Sequence, residues 1–247
     1  MIGDKIEIGA KIVRFVEVDS TNRIALSAQD YPSGTVFVAQ SQTAGVGRRR
    51  RPWLSPEGGL YLTILLENLP EAIDYQKSAI VCGFCVAETC RAFAPNELFQ
   101  LKWPNDVLVG GKKICGILAQ NVVRGMFSRG AIGIGINLNP PSQELPPDLT
   151  DKAIFLAEII TETVDISSFE RTLLDKIRET HQAPISKAFA RLLPQINSVL
   201  FRRGELSSLE IRGQSAQNRI LLIEEDCSLA IEDSSGNELR VSIGEFL

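Results

Sequence analysis

The chain has 247 residues, of which 44% are hydrophobic and 23% charged, with a formal net charge of -4. This is enough apolar material for one large or two smaller cores, and it excludes a disordered chain and a generally basic nucleic-acid binder. No basic and then apolar leader opens the chain, and no apolar run nears the roughly 18 residues that span a bilayer. A soluble, cytoplasmic protein with no membrane partner is expected.

Ile12–Val18 reads as a strand, and Asp19, Ser20, Thr21 and Asn22 follow as four capping-type residues before a helical stretch ending near Asp30. Hydroxyls and an amide at such a junction serve a ligand as readily as they cap a helix. A second strand, Thr35–Ala39, leads into the stretch QSQTAGVGRRRRPWLSPEGGLYL, Gln40 to Leu62, and a third, Leu60–Leu66, leads out. The glycines and arginines between them therefore lie on a loop held at both ends. Gly45 and Gly47 let backbone N–H groups approach an anion or a carbonyl, while Arg48 to Arg51 add permanent charge in planar donor forks. That chemistry suits phosphate or carboxylate handling; the alternative is a solvated or nucleic-acid-facing patch. Trp53 and Ser55-Pro56 pin the charge between an aromatic and a turn, which a free tail would not do.

From Asp74 to Phe93 the apolar content predicts a long buried helix, a scaffold element. The cysteines, Cys82, Cys85, Cys90, Cys115 and Cys227, are odd in number, and the Cys82-Gly-Phe-Cys85 spacing has no second pair. Buried reduced thiols are expected, not a disulfide or zinc centre. His181 is the single histidine, which excludes a multi-histidine metal site, and its polar neighbours Glu179, Thr180 and Gln182 predict a surface position.

Leu98–Trp103 reads as a short strand, followed by Pro104-Asn105-Asp106, a turn that exposes an amide and a carboxylate. Val107–Val109, Gly110-Gly111 and Lys112–Leu118 predict a hairpin that sets Lys113 on the strand beside Asp106. A further hairpin joins Ala119–Val123 to Ala131–Leu138 through Arg124–Gly130. Gly133-Ile134-Gly135-Ile136-Asn137 lacks the third glycine and the helix of a dinucleotide fingerprint. Its glycines instead let a ligand or a neighbouring strand come close. Gly111-Lys112 lacks the hydroxyl residue and the helix of a P-loop, so any ATP site lies outside that scheme. Pro140, Pro141, Pro146 and Pro147 mark 139–151 as an exposed connector, and helices follow at about 152–163, 168–182 and 184–193. From Gln195 onward short strands at 198–201, 208–212, 219–223, 228–232 and 238–243 predict a small β-barrel.

Taken together, the motifs resemble the biotin–protein ligases over nearly the whole chain. Asp19-Ser20-Thr21-Asn22, Gln42 to Arg49, Trp53 with Ser55-Pro56 and Leu60-Tyr61, Lys102-Trp103-Pro104-Asn105-Asp106, Lys113 with Gly116-Ile117-Leu118, and Gly135-Ile136-Asn137 occur in that family's order. The resemblance implies an α+β fold, a mixed and largely antiparallel sheet flanked by helices as in class II aminoacyl-tRNA synthetase/biotin synthetase-like domains. It assigns that catalytic domain to residues 1–194 and an SH3-like C-terminal β-barrel to 195–247.

The implied reaction joins biotin to ATP, accompanied by Mg2+, as biotinyl-5'-AMP, and then transfers the biotinyl group to a lysine of a biotin carboxyl carrier domain of a carboxylase. Carried over to this sequence, the resemblance names Arg48, Lys113 and Asp106 as catalytic. It names Ser20, Thr21, Asn22, Gln42, Gly45, Val46, Gly47, Arg48, Lys113 and Gly116 as biotin-binding, and Arg48, Trp53, Asn105, Lys113 and Asn137 as binding ATP or the adenylate. No metal ligands are expected from the chain and no nucleic-acid partner; a homodimer is among the assemblies the resemblance allows. Two positions depart from the family: Val46 replaces a frequent arginine and Arg50 a glycine, so the usual GRGRRGR reads GVGRRRR, which touches loop ordering and retention of the intermediate. Because the pattern begins by Ile12, without room for the helix-turn-helix of bifunctional members, a ligase without repressor function is expected.

Three alternatives compete. A lipoate or octanoate ligase of the same superfamily would adenylate a plain acyl acid, but the Ser20 and Thr21 hydroxyls and Gln42 suit a ureido ring. A nucleic-acid binder using Arg48 to Arg51 would show strongly salt-dependent binding without any need for biotin. A biotin sensor without catalysis would lack Arg48 or Lys113, and both are present.

Overall fold

The computed structural model describes residues 6–124, 127–144, 146–211 and 213–246. Strands β1 (Ile12–Val18), β2 (Val36–Gln42), β3 (Leu60–Glu67), β4 (Phe99–Lys102), β5 (Asp106–Val109), β6 (Lys112–Arg124) and β7 (Phe127–Ile136) form one sheet. Their order is β1-β2-β3-β7-β6-β5-β4; β1 and β2 run parallel and every other pair is antiparallel. The interior strand β3 is buried on both faces because the sheet is covered on both. Its residues alternate as the two-residue period requires. Leu62, Ile64 and Leu66 join the main core under helix α2 (Ala72–Phe93), while Leu65 joins Phe37, Ala25 and Ala131 under α1 (Thr21–Ser27).

Helix α2 is the scaffold its composition predicts, with Cys82, Cys85 and Cys90 among its buried residues and a capping box between Glu71 and Asp74. All five thiols are buried and free. Burial pushes the Cys85 thiol up to about 12, so its reactive thiolate is disfavoured. Among the described residues no helix is long and apolar enough to cross a membrane.

Past the sheet several elements differ from the expectations. The helix predicted at 152–163 shrinks to α4 (Leu156–Ile160), after the short α3 (Pro147–Thr150), because the preceding backbone is used otherwise. Lys113 N donates to Lys152 O at 2.7 Å and Ile154 N to Lys113 O at 3.1 Å, so this segment runs alongside β6 as an extra rung. Helix α5 (Ile166–Thr180) matches its prediction, and α6 (Ile185–Ser198) continues through Pro194 instead of stopping at Leu193. Proline removes one turn bond there, but the buried face of Phe189, Leu192 and Ile196 continues beyond it. The expected strand at 198–201 is accordingly a helix end followed by an isolated bridge between Leu200 and Leu101. The domain boundary expected at 194/195 falls inside α6. β7 begins at Phe127, earlier than the expected Ala131; Gly125 and Met126 of the anticipated turn, Leu145 of the connector and Arg212 of the anticipated strand lie outside the described residues.

The C-terminal strands β8 (Leu206–Ile211), β9 (Gln214–Ile223), β10 (Leu229–Glu232), β11 (Glu238–Val241) and β12 (Glu245–Phe246) form a second antiparallel sheet, ordered β11-β10-β9-β8-β12. Among the described residues no ladder joins β11 to β12.

His181 is not at the surface. It is 8% exposed at the end of α5, with Nδ1 2.9 Å from Ile177 O and 3.0 Å from Thr180 Oγ1. Burial lowers its pKa below the ordinary 6.5, so the folded state holds the ring neutral. Above that value both states are neutral and the ring costs nothing. As pH falls below it, the unfolded chain takes up the proton more readily and stability drops, by at most about 1.4 kcal/mol per pH unit. Urea unfolding between pH 7 and pH 5 should show a shallower pH dependence for His181→Gln than for the unaltered chain. An unchanged slope would locate the titration elsewhere.

Candidate active site

The junction of β1 and α1 is a capped helix start: Ser20 takes the N-cap position and its side chain accepts from Arg23 N. Thr21 and Asn22, in the first turn, are buried and aimed back at the sheet instead of at solvent. Thr21 N and Oγ1 donate to Gln42 Oε1 at 2.9 and 3.1 Å, and Gln42 Nε2 donates to Ser55 Oγ at 2.8 Å. The end of β2 and the far side of the glycine–arginine loop are thereby joined to the start of α1.

That loop is closed by two rungs, Gln42 with Ser55 and Val46 with Pro52. Within it Arg48–Arg50 form a 3-10 turn in which Arg49 and Arg50 have φ of 53° and 60°. Both lie in the left-handed region, which costs a side-chain-bearing residue about 1–2 kcal/mol. Arg50, the residue standing where the resembling motif has glycine, therefore occupies a backbone conformation that glycine takes without penalty. Arg48 Nη1 donates to Asn105 Oδ1 at 3.3 Å, and Arg49 Nη1 stands 3.6 Å from Glu210 Oε1 of the second sheet.

On the other side, the β5–β6 hairpin carries a bulge: Val107 pairs with Cys115 but Leu108 with Lys113, leaving Ile114 as the extra residue. Strict alternation would send Lys113 and Gly116 to opposite faces; the bulge turns both to the same one. Lys113 Nζ lies 2.7 Å from Asp106 Oδ1 and 5.0 Å from the centre of the Trp53 ring. Asn105 is fixed by donating Nδ2 to Ile117 O at 2.9 Å, and Asn137 by donating Nδ2 to Lys113 O at 3.3 Å. Gly116 and Gly135 face each other across the β6–β7 ladder. A Cβ on Gly135 would fall 2.3 Å from Trp53 Nε1 and one on Gly116 3.1 Å from Trp53 Cζ3. Their bare backbones are the floor on which the indole rests.

These groups surround one cavity of about 370 Å³. Of the residues expected from the sequence, Ser20, Thr21, Asn22, Gln42, Val46, Gly47, Arg48, Trp53, Asn105, Asp106, Lys113, Gly116 and Asn137 line it. Gly45 does not; a Cβ there would fall 2.5 Å from Trp53 O and 2.7 Å from Ser55 Oγ. The wall also contains residues that sequence reasoning missed, among them Tyr61, Lys152, Phe155 and Phe246. Tyr61 Oη donates to Pro56 O at 2.7 Å, and burial pushes its phenol pKa up. Phe155 arrives from the start of α4 and Phe246 from β12, and no local signal in the sequence ties either to the loop.

A model of the biotin/lipoate A/B protein ligase family matches residues 14–137, which include the loop, the hairpin and Asn137. The chain belongs to that family. Among relatives, the bifunctional ligase/repressor BirA of Bacillus spizizenii is 37% identical over 155 residues, 60% of this chain and 46% of that protein. The biotin–[acetyl-CoA-carboxylase] ligase of Paracoccus denitrificans is 37% identical over 123 residues, 49% of this chain and 51% of that one. The chain spans about half the length of these curated relatives. A solved biotin protein ligase from Aquifex aeolicus, in complex with biotin and ATP, matches with a TM-score of 0.81 at 30% identity, covering 96% of this chain and 98% of that one.

Proposed function

We propose that the chain activates biotin with ATP as biotinyl-5'-AMP and transfers the biotinyl group to a lysine of a biotin carboxyl carrier domain of a carboxylase. One observation carries this reading: Arg48 from the loop and Lys113 from the hairpin line the same cavity as the hydrogen-bonded pair Thr21 and Gln42, and as Asn22. Cations for a phosphate and polar partners for a ring are thus brought to one space.

In the first step a biotin carboxylate oxygen bonds to the α-phosphorus as the bond to the bridging oxygen breaks and pyrophosphate leaves. Negative charge gathers around phosphorus, and Arg48 and Lys113 offset it. Asn105 and Asp106 hold those two cations in position, by contacts of 3.3 and 2.7 Å. In the second step the carrier's amine attacks the acyl carbon and AMP departs; Asp106 is placed to take the amine's proton. Trp53 and Asn137 serve the nucleotide. Among the described residues no cluster of three His, Cys, Asp or Glu could hold an ion. Mg2+ would enter with the ATP phosphates, whose charge it would offset, and Asp106 is a carboxylate in the wall.

Catalysis is assigned to the large sheet and its helices, with the join to the C-terminal unit placed after α6. Both cations and the polar set come from one chain. The five buried free thiols fit a reducing cytoplasm.

The test is AMP formation from ATP by the purified protein with biotin, lipoate or octanoate as the acid. Biotin should be required, with the acyl acids below about a hundredth of its kcat/KM. Equal AMP formation with lipoate would replace biotin as the substrate, and none with any acid would remove the adenylation chemistry.

A further inference from the structure

We infer that Thr63, which does not line the cavity, is a positioning residue for the polar head of the acid, and that it favours a ring bearing N–H groups over a plain acyl chain. This deepens the biotin reading and rests on it. Thr63 is fully buried in the middle of β3, between Leu62 and Ile64 of the main core. A hydroxyl at such a point is costly unless it is bonded. Its Oγ1 lies 2.8 Å from Thr21 Oγ1 and 2.7 Å from Asn22 Oδ1. Across the ladder Thr63 faces Gly133, where a Cβ would fall 2.1 Å from Asn22 Oδ1, so the bare backbone lets Asn22 settle onto the hydroxyl.

The protons in this cluster can be counted. Asn22 commits its amide protons to Leu118 O at 3.3 Å and Gln120 Oε1 at 2.9 Å. Three oxygen–oxygen contacts remain: Thr21 with Gln42, Thr21 with Thr63, and Thr63 with Asn22. Two hydroxyl protons serve them, so one contact always pairs two acceptors. In every arrangement of those two protons either Thr21 Oγ1 or Asn22 Oδ1 receives none, and both residues are in the cavity wall, so a ligand N–H can serve the acceptor left over while a methylene chain cannot. Thr63 fixes where those two acceptors point without touching the ligand itself.

Thr63→Val keeps the shape and removes the donor. Expected are a biotin KM raised about tenfold, with kcat and the ATP KM held within about twofold, and a biotin-to-octanoate preference narrowed about tenfold. Thr63→Ser should restore the unaltered values. If Thr63→Val fails to fold, Thr63→Cys and Thr63→Ser form the comparison: they match in size and differ in donor strength, so only Thr63→Cys should raise the biotin KM. A biotin KM that stays put in Thr63→Val, or moves alike in Thr63→Cys and Thr63→Ser, overturns the inference, as does a loss spread equally over kcat and the ATP KM. An unaltered chain that forms AMP with biotin confines such a failure to Thr63; one that forms none with biotin overturns the ligase reading as well.

Discussion

Lys113→Ala is expected to give a folded protein that forms biotinyl-adenylate about a hundredfold more slowly, a loss of roughly 3 kcal/mol at the transition state. The side chain is one-third exposed, so removing it opens no core cavity. The structural role of this position lies in its backbone, which pairs with Leu108 on β5 and with the rung formed by Lys152 and Ile154, and alanine keeps those bonds. What is lost is the ammonium that the proposed mechanism sets against the reacting phosphorus, and its partnership with Asp106. Arginine is a poor substitute, because a planar fork on a longer stem cannot take the place of a compact charge set 2.7 Å from a carboxylate. The measurement is biotin-dependent pyrophosphate release alongside a thermal melt. Full release by a variant that melts normally would take Lys113 out of the mechanism and leave Arg48 to act without it.

Trp103→Ala should produce the largest loss of stability, about 3–5 kcal/mol, read from urea unfolding. Trp103 is 3% exposed, and its Nε1 donates to Cys227 O at 2.9 Å, a bond from the large sheet to the turn before β10. The ring also borders Gly244 just before β12, whose Phe246 lines the cavity. Truncation leaves a void between the two sheets and an unpaired buried carbonyl, so the C-terminal sheet should become more readily cleaved by protease. Trp103→Phe should recover most of the packing and none of the hydrogen bond. A loss below about 1 kcal/mol for the alanine variant would mean that the two sheets are held together elsewhere.

Much of the site was legible in the chain because its signals are local. Four capping residues after a strand, a glycine–arginine loop between two strands and a two-glycine hairpin turn each fix backbone geometry within a few residues. They therefore announce Ser20, Gln42, Arg48 and Lys113 without reference to the rest of the fold. The surface position expected for His181 failed for a related reason. Its neighbours in sequence are polar, but its burial is decided by what packs over the end of α5.

The sequence by itself determined the strand–helix pattern, the two cations, the amide and hydroxyl groups and the motif order that the family shares, since all of these are written in residue identity and short spacing. Only the tertiary structure decided that β7 inserts between β3 and β6, which brings Gly135 under Trp53 and Gly133 opposite Thr63. It also decided the bulge at Ile114 that turns Lys113 and Gly116 to one face, and the arrival of Phe155 and Phe246 in the wall. Strand order and bulges are settled by which edges and faces bury the most apolar surface with every backbone group bonded, and that competition is between segments far apart in the chain.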